Sequence, residues 1–324
     1  MGLFDELKAK LEGSNQTIVF PEGKDVRILG ACARLKKDNI LTPIIIGKLD
    51  EVEGIAKESS IDLTDIQILD PDSYDEYDNL VDAFVERRKG KASLEDAKVL
   101  LKDYNYFATM LVYTGKADGM VSGAVGSTGD TVRPALQIVK TVPGVSRISG
   151  AMIMIGPNNE RYVFADIAIN ISLEPDQLAE VAVQTAKTAE LFGIDPKVAM
   201  LSFSTMGSAS SPEQEKVAEA TRLAKEMAPE LAIDGEMQFD AAFVPSVGKS
   251  KAPNSKVAGH ANVFIFPDLQ AGNIGYKIAE RLGKLEAIGP ILQGLNAPIS
   301  DLSRGCSEED VYKLAIITAL QSLQ

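Results

Sequence analysis

Cysteine and histidine are scarce in this chain of 324 residues, which contains two cysteines, Cys32 and Cys306, and one histidine, His260. Two cysteines are too few for a disulfide framework or a cysteine-rich metal site. With a single histidine, none of the usual zinc-ligand spacings is present, so a zinc site is not expected. A Ser-His-Asp triad would have to use His260, and a lone histidine is more often structural or exposed.

Positive charge is in deficit, with 33 Lys and Arg against 46 Asp and Glu, which gives a net charge of −13. Binding to nucleic acid relies on a basic face that releases counterions, so this balance argues against a nucleic-acid partner. Small anions are still possible ligands, because a few local arginines can hold them inside an acidic protein. Such arginines should then be concentrated at a few places in the sequence.

Long apolar runs are also missing, since no stretch approaches the ~18 consecutive apolar residues of a membrane span. Asp5 and Glu6 make the N-terminus acidic where a signal peptide would be basic. We therefore expect a cytoplasmic protein without a membrane partner. A hydrophobic content of 45% and a charged content of 24% are typical of a globular protein, and 324 residues suit two domains.

The apolar segments alternate between strand and helix patterns. A helical repeat at residues 3–11 is followed by an apolar strand at 17–20, a helix at 25–37 and a second apolar strand at 43–46. Later segments continue this alternation, with a long helical region at 93–113 and an antiparallel hairpin at 151–164. The pattern predicts an α/β fold with a mainly parallel sheet in each half.

Ligands of parallel sheets bind at the carboxyl ends of the strands, which directs attention to three loops. These loops are residues 122–133, 203–211 and 296–310. Two common nucleotide motifs fail in this chain. A P-loop ending at Gly248-Lys249-Ser250 would need a glycine where Phe243 stands, and the glycines at 123, 126 and 129 lack the dinucleotide spacing.

The first loop combines small residues, hydroxyls and a cation between a strand and a helix. Ser127, Thr128, Thr131 and Arg133 are the candidate binding residues, because hydroxyls and backbone N–H groups at a helix start bind anions. The alternative is a loop whose Ser, Thr and Asp residues cap the helix.

Two further segments concentrate charge. Residues 87–91 contain four cations, which form either an anion site or a solvated helix C-terminus. Residues 299–310 bring Ser303, Arg304 and Asp310 to the start of the last helix, where anions bind. Here Ser307 and Asp310 also form a near capping box, and the two interpretations are compatible.

At these residues the sequence resembles the phosphate acetyl/butyryl transferase family. The matching segments are spread along nearly the whole chain, at residues 84–91, 131–137, 140–147, 235–240, 251–255, 266–273 and 301–306. The last of them is typical of the acetyl branch of the family. The resemblance implies two α/β domains flanking a cleft that holds the active site, as in isocitrate and isopropylmalate dehydrogenases. Domain one would comprise residues 1–142 plus 294–324, domain two residues 143–293, and the assembly would be a homodimer.

The resemblance also implies substrates and site residues. The substrates would be acetyl-CoA, acetyl phosphate and inorganic phosphate, with no bound cofactor and no metal, while activation by a monovalent cation stays open. By position, the family's catalytic residues correspond to Ser303, Arg304 and Asp310, and its coenzyme-binding arginines to Arg133 and Arg88. Arg87 is an extra cation relative to many members, so the choice between Arg87 and Arg88 is open.

The implied chemistry is direct attack of the coenzyme thiolate on an acetyl carbonyl in a ternary complex. A thiol pKa of about 8.5 and an aspartate pKa of about 3.9 leave a gap of roughly 4.6 units, so Asp310 would be a weak equilibrium base. Arg304 and the helix dipole would then stabilise the thiolate and the oxyanion. Cys306 is an alternative nucleophile favoured by its place before a helix, but no histidine is apparent to activate it.

Three alternatives of different kinds remain. A butyryl-specific enzyme would keep the chemistry and accept longer acyl chains. A nicotinamide-dependent dehydrogenase of the same fold would need a metal-binding aspartate cluster, which the sequence does not show. A non-catalytic acyl-CoA sensor would retain Arg88 and Arg133 but could lose Ser303 and Asp310, so their presence favours an enzyme.

Overall fold

The computed structural model describes residues 2–323. The helices are Leu3–Leu11 (α1), Val26–Lys37 (α2), Leu49–Glu58 (α3), Tyr77–Arg88 (α4), Leu94–Leu100 (α5), Tyr104–Tyr113 (α6), Thr128–Pro134 (α7), Pro175–Leu191 (α8), Pro212–Met227 (α9), Phe239–Phe243 (α10), Pro245–Lys251 (α11), Leu269–Arg281 (α12) and Glu308–Gln321 (α13). The strands are Thr17–Phe20 (β1), Thr42–Ile46 (β2), Gln67–Leu69 (β3), Gly119–Ser122 (β4), Ser149–Ile155 (β5), Arg161–Ala165 (β6), Lys197–Leu201 (β7), Ala232–Met237 (β8), Val263–Ile265 (β9), Glu286–Gln293 (β10) and Ile299–Asp301 (β11). A π-helical segment, Ala135–Val139, continues α7.

The chain divides into two compact units, Met1–Val142 with Leu295–Gln324 (unit 1) and Pro143–Gly294 (unit 2). No helix within residues 2–323 is both long enough and apolar enough to cross a membrane.

The sheet of unit 1 has five strands in the order β11-β4-β1-β2-β3, and every pair is parallel. Its central strands are continuously apolar, with residues 18–20 and 44–46 buried. Strands of this kind are covered by helices on both faces, and their carboxyl ends share one edge. The loops that follow β1, β4 and β11 therefore meet at that edge.

The last part of the chain completes unit 1. Strand β11 pairs with β4 so that Asp301 lies opposite Ser122, at the carboxyl end of both strands. Helix α13 then packs on β4 and α2 through a side-chain set that is buried almost all round, including Val311 and Ile316. Between α13 and β11, the hydroxyls of Thr318 and Ser300 are 2.7 Å apart. The last helix is thus an internal element, and its first turn is fixed beside the carboxyl edge.

The sheet of unit 2 has six strands in the order β10-β5-β6-β9-β7-β8. Strands β5 and β6 form the predicted antiparallel hairpin, and β10 adds an antiparallel strand beside β5. The pairs from β6 to β8 are parallel. The loop 203–211 follows β7 at the carboxyl edge of this second sheet.

The element predictions fail in instructive places. The single helical region expected at 93–113 is two helices, because the Asp103 carboxylate caps the backbone N–H groups of Asn105 and Tyr106 and starts α6 afresh. Strand β10 was not predicted, because Gly289 and Pro290 lie inside it, where its pairing with β5 is irregular. Strand β11 lies inside the segment 296–310 that was predicted to be a loop, because Ser300 and Asp301 leave it no apolar run.

Candidate functional site

Two of the three loops singled out from the sequence come together at the carboxyl edge of unit 1. The Leu302 N–H donates to the carbonyl oxygen of Ser122 at 2.6 Å, which extends the β4–β11 pairing into the loops. Gly123 has φ of +102°, and a Cβ at this position would lie 2.5 Å from Oδ1 of Asp301. Only glycine therefore allows the two loops to approach so closely.

Arg27, in the first turn of α2, ties the two loops together. Its Nη1 donates to the carbonyl oxygens of Arg304 and Cys306 at 2.9 Å each, and its Nη2 donates to the carbonyl oxygen of Ala124 at 2.8 Å. Asp25 holds the guanidinium in place through an Nη2–Oδ2 contact of 2.7 Å. Hydrogen bonding to Asp25 also raises the pKa of Arg27 above its ordinary value.

A carboxylate from the neighbouring strand already occupies part of the first loop. Glu22, which follows β1, accepts hydrogen bonds from the backbone N–H groups of Ala124 at 2.7 Å and of Val125 and Gly126 at 2.9 Å each. These N–H groups belong to the loop 122–133, which was predicted to bind an anion. Here they bind an anion supplied by the protein, which fixes the shape of the loop.

The three predicted catalytic residues lie in the second loop and the first turn of α13. Ser303 and Arg304 are exposed, and the Arg304 guanidinium forms no ion pair with any of residues 2–323. The Oγ of Ser303 accepts from the Gly305 N–H at 3.3 Å. Asp310 forms the predicted capping box, because its Oδ2 accepts hydrogen bonds from both N and Oγ of Ser307 at 2.8 Å. An unpaired cation at a helix start leaves this edge able to attract an anion.

Cys306 lies between these residues but is almost fully buried. Burial raises the pKa of the Cys306 thiol, and Asp310, Asp25 and Glu22 act in the same direction, whereas Arg27 acts to lower it. The place before a helix suggested a reactive thiolate from the sequence. The buried surroundings outweigh that influence and keep the thiol protonated.

The candidate hydroxyls of the first loop have different surroundings. Ser127 N and Oγ both donate to Oδ2 of Asp130, at 2.9 and 2.8 Å, so this serine caps α7. Thr128 is exposed at the start of the helix, whereas Thr131 is fully buried. Both threonine hydroxyls lie near the carboxyl of Asp301 and act to lower its pKa.

The predicted coenzyme-binding arginines are brought to one place by α4 and α7. Burial raises the pKa of the Tyr106 hydroxyl above its ordinary value, and Arg133 and Arg88 both act to lower it. The Tyr106 hydroxyl donates to Oε1 of Gln137 at 3.1 Å, and Nη1 of Arg88 donates to the carbonyl oxygen of Gln137 at 3.3 Å. The Arg133 side chain is exposed and forms no ion pair within residues 2–323. Among residues 2–323, neither Arg88 nor Arg133 pairs with a carboxylate, and both act on Tyr106.

Arg87 is used differently from Arg88. Its Nε and Nη2 donate to the carbonyl oxygens of Ile138 and Val139, at 2.5 and 3.0 Å, at the end of the π-helical segment. Its guanidinium also lies 4.9 Å from the centre of the Tyr113 ring. Lys140 completes the group, and the pKa of its ammonium is lowered, chiefly by Arg87. Arg87 is thus engaged in the fold, while Arg88 is the more available of the two.

An open pocket of roughly 540 Å³ lies at the same carboxyl edge, and Glu22 is one of the residues that line it. Its lysines are already neutralised, since Lys24 pairs with Glu51 at 2.5 Å and Lys102 with Asp72 at 2.8 Å. None of the predicted site residues lines this pocket.

The third loop belongs to unit 2 and is held by a buried carboxylate in the same manner as the first. Oε1 of Glu236 accepts from Oγ of Ser204 at 2.9 Å and from the Gly207 N–H at 2.8 Å. Sequence reasoning did not single out Glu22, Arg27, Asp301 or Glu236. Glu22, Asp301 and Glu236 stand within two residues of the end of a strand, and Arg27 lies in the first turn of the helix that follows β1. These positions are the only signal that could have drawn attention to them.

With this arrangement established, comparison with known proteins identifies the family. A sequence model described as "Phosphate acetyl/butaryl transferase" matches residues 3–319. The chain belongs to this family. The phosphate acetyltransferase of Bacillus subtilis (strain 168) is 60% identical over 321 residues, which cover 99% of each chain. These matches confirm the resemblance to this family. They also confirm the prediction that the protein is an enzyme, an acyltransferase.

Solved structures give the same result. A phosphotransacetylase from Streptococcus pyogenes superposes with a TM-score of 0.97 at 59% identity, covering 99% of this chain and 98% of that one. A protein from Salmonella typhimurium, provisionally described as a 4-hydroxythreonine-4-phosphate dehydrogenase, has a TM-score of 0.54 at 13% identity over 95% of this chain and 99% of that one. The second likeness shows the fold alone, and it confirms the predicted dehydrogenase-like α/β class.

Proposed function

We propose that this chain, acting in the cytoplasm, transfers an acetyl group reversibly between coenzyme A and inorganic phosphate. The substrates are acetyl-CoA and phosphate in one direction and acetyl phosphate and coenzyme A in the other. The observation that carries the proposal is the unpaired Arg304 beside Ser303 at the start of α13, held by Arg27 in a chain closely similar to phosphate acetyltransferases. Every reactant is an anion, and this edge presents an uncompensated cation to it.

Arg304 and Ser303 have roles that follow from their exposure and chemistry. The guanidinium of Arg304 binds a phosphate group and stabilises the oxyanion that forms when the acetyl carbonyl is attacked. The hydroxyl of Ser303 orients the carbonyl or the phosphate by hydrogen bonding. Asp310 fixes the first turn of α13 through Ser307, directly after the loop that carries Ser303 and Arg304.

Arg88 and Arg133 bind phosphate groups of coenzyme A away from the reacting sulfur. Arg133 lies five residues along α7 from Thr128, a rise of about 7.5 Å at ~1.5 Å per residue. The helix therefore connects the reacting end of the site, near Asp301, to the cationic group around Tyr106. Loss of either arginine would weaken binding of the ground state and the transition state alike.

The chemical step is direct transfer without an acyl-enzyme. The coenzyme thiolate attacks the acetyl carbonyl, a tetrahedral oxyanion forms, and phosphate leaves as the C–O bond breaks; the reverse direction exchanges nucleophile and leaving group. The coenzyme brings its own thiol, and the buried Cys306 remains protonated. The reaction therefore requires both substrates to be bound together.

A thiol-release assay tests this function and separates it from its competitors. Release of free thiol from acetyl-CoA should depend on added phosphate and should be faster than release from butyryl-CoA. A preference for butyryl-CoA would indicate a butyryltransferase, and binding of acetyl-CoA without phosphate-dependent turnover would indicate a sensor. Repeating the assay in potassium, ammonium and tetramethylammonium salts tests activation by a monovalent cation.

We also infer a homodimer, and α12 of unit 2 provides the support for it. Ile274, Ile278 and Leu282 form a stripe at helical spacing, and they are 57%, 52% and 80% exposed. A contiguous exposed apolar surface of this kind is typical of a protein–protein contact. The expected mass by light scattering is that of a dimer, and Ile278→Asp should shift it toward the monomer. Val99→Asp, at an isolated apolar residue that is 76% exposed, should not.

A further inference from the structure

Glu22 occupies an anion site that the backbone of the first loop would otherwise offer to a ligand. Its Oε2 accepts a hydrogen bond from the Ala124 N–H at 2.7 Å, and its Oε1 accepts from the N–H groups of Val125 and Gly126 at 2.9 Å each. Successive N–H groups that converge on one anion form a concave site of the kind that holds phosphate. We call these three groups the N–H site. The Glu22 carboxylate stands where a free oxyanion would bind.

The surroundings of the N–H site also favour an anion. Nη2 of Arg27 donates to the carbonyl oxygen of Ala124 at 2.8 Å, so a guanidinium and the Glu22 carboxylate bind the same residue. The next N–H along the chain, that of Ser127, donates to Oδ2 of Asp130 at 2.9 Å. Four consecutive N–H groups thus donate to carboxylates that the protein itself supplies. The loop has the donors of a phosphate site, and its own side chains occupy them.

The open pocket beside Glu22 gives solvent a route to the N–H site. Glu22 is half-buried, and together with Val125 and Gly126 it lines this pocket of roughly 540 Å³. A phosphate ion is much smaller than that volume, so truncation of the Glu22 side chain would let phosphate reach the three N–H groups. The two lysines of the pocket are already paired with carboxylates, so they compete only weakly for the same anion.

We propose that Glu22 is a built-in substitute for phosphate, which keeps the phosphate substrate out of the first loop and leaves it to bind at Arg304. The inference rests on the proposed function, in which phosphate is a reactant. Arg27 donates to the carbonyl oxygens of both Ala124 and Arg304, so one guanidinium spans the distance between the N–H site and the loop that carries Arg304. A phosphate in the N–H site would carry more negative charge than a carboxylate and would repel the reacting phosphate. Glu22 is thus a specificity-determining residue.

Glu22→Ala tests the N–H site without reference to activity. Inorganic phosphate at ~10 mM should raise the melting temperature of this variant by at least ~3 °C more than it raises that of the wild type. Sulfate, which has the same shape, should do likewise, whereas chloride at equal ionic strength should not. Asp72→Ala is the matched control, because it removes from the same pocket a carboxylate that pairs with Lys102. Phosphate should stabilise this control no more than it stabilises the wild type.

Kinetics connect the N–H site to the reaction. In Glu22→Ala, thiol release from acetyl-CoA should rise with phosphate and then fall about 5-fold, because repulsion between neighbouring anions costs about 1 kcal/mol even in high dielectric. The wild type and Asp72→Ala should instead reach a plateau. Glu22→Gln keeps the size of the side chain but loses its charge and one acceptor oxygen. It should show the same inhibition at higher phosphate concentrations, and it provides the test if the alanine variant does not fold.

The outcomes separate this inference from the function on which it rests. A wild-type protein without phosphate-dependent thiol release would overturn the proposed function itself. An active wild type, with Glu22 variants that phosphate neither stabilises nor inhibits, would overturn only the role of Glu22. Stabilisation by phosphate without inhibition would overturn the exclusion of substrate phosphate. Equal stabilisation of Asp72→Ala and Glu22→Ala would also contradict the inference, because the loss of any carboxylate from the pocket would then suffice.

Discussion

Nη1 of Arg27 donates a hydrogen bond of 2.9 Å to the carbonyl oxygen of Arg304, although the two residues are 277 positions apart in the sequence. The same guanidinium binds the carbonyl oxygens of Cys306 and Ala124. One side chain on α2 thus sets the distance between the two loops that carry the site. This contact holds the backbone of Arg304, whereas the Arg304 guanidinium forms no ion pair within residues 2–323.

Replacing Arg27 by Met removes these donors while keeping most of the apolar stem. Removing the hydrogen bonds that a charged group donates leaves their acceptors unsatisfied, and this costs about 3 kcal/mol of folding free energy. The expected result is a clearly lower melting temperature and a lower kcat. Arg34→Met is the control, since Arg34 is also on α2 but pairs at the surface with Glu308 and Glu309. Equal effects of the two substitutions would contradict the role given to Arg27.

Arg304→Ala should lower kcat at least ~100-fold, about 3 kcal/mol, as the loss of one oxyanion donor does. Since the side chain forms no internal ion pair, the melting temperature should hardly change. Thermal denaturation and steady-state kinetics on the same preparation check both statements. Near-normal turnover in a folded variant would remove Arg304 from the chemical step.

Arg88→Ala and Arg133→Ala should raise KM for coenzyme A more than they lower kcat, because both side chains bind phosphates far from the sulfur. Arg87→Ala is the matched comparison. It should lower the melting temperature with little effect on KM, because Arg87 binds the carbonyl oxygens of Ile138 and Val139. Dephospho-coenzyme A should show a smaller penalty in whichever variant has lost the 3′-phosphate contact. A fall in kcat at constant KM would instead place Arg88 and Arg133 in the chemistry.

The fold class could be predicted from the sequence because buried parallel strands consist of continuous apolar runs. Residues 17–20 were predicted as a strand with the bounds that the structure gives them. Strands interrupted by Gly, Pro or polar residues carry no such pattern, so β10 and β11 were not predicted. The failure at β11 matters most, because its pairing with β4 places Asp301 and the loop that follows it at the carboxyl edge of the sheet.

Sequence reasoning about the site succeeded for local geometry and failed for long-range contacts. The capping interpretation of Ser307 and Asp310 needs only spacing within one helical turn, and the structure shows both of its hydrogen bonds. Glu22 accepts hydrogen bonds from the N–H groups of residues 124–126, about a hundred positions away in the sequence. No local pattern predicts a contact between segments so far apart. The same holds for Arg27 and Asp301.

The central claim is direct transfer between two bound substrates at the Arg304 edge, without an acetyl group on Cys306. Initial rates measured over a grid of acetyl-CoA and phosphate concentrations, for the wild type and for Cys306→Ala, test it most directly. We predict intersecting double-reciprocal lines for both proteins and most of the activity in the variant, because the buried Cys306 thiol stays protonated. Parallel lines, with an acetyl group trapped on Cys306, would contradict the account.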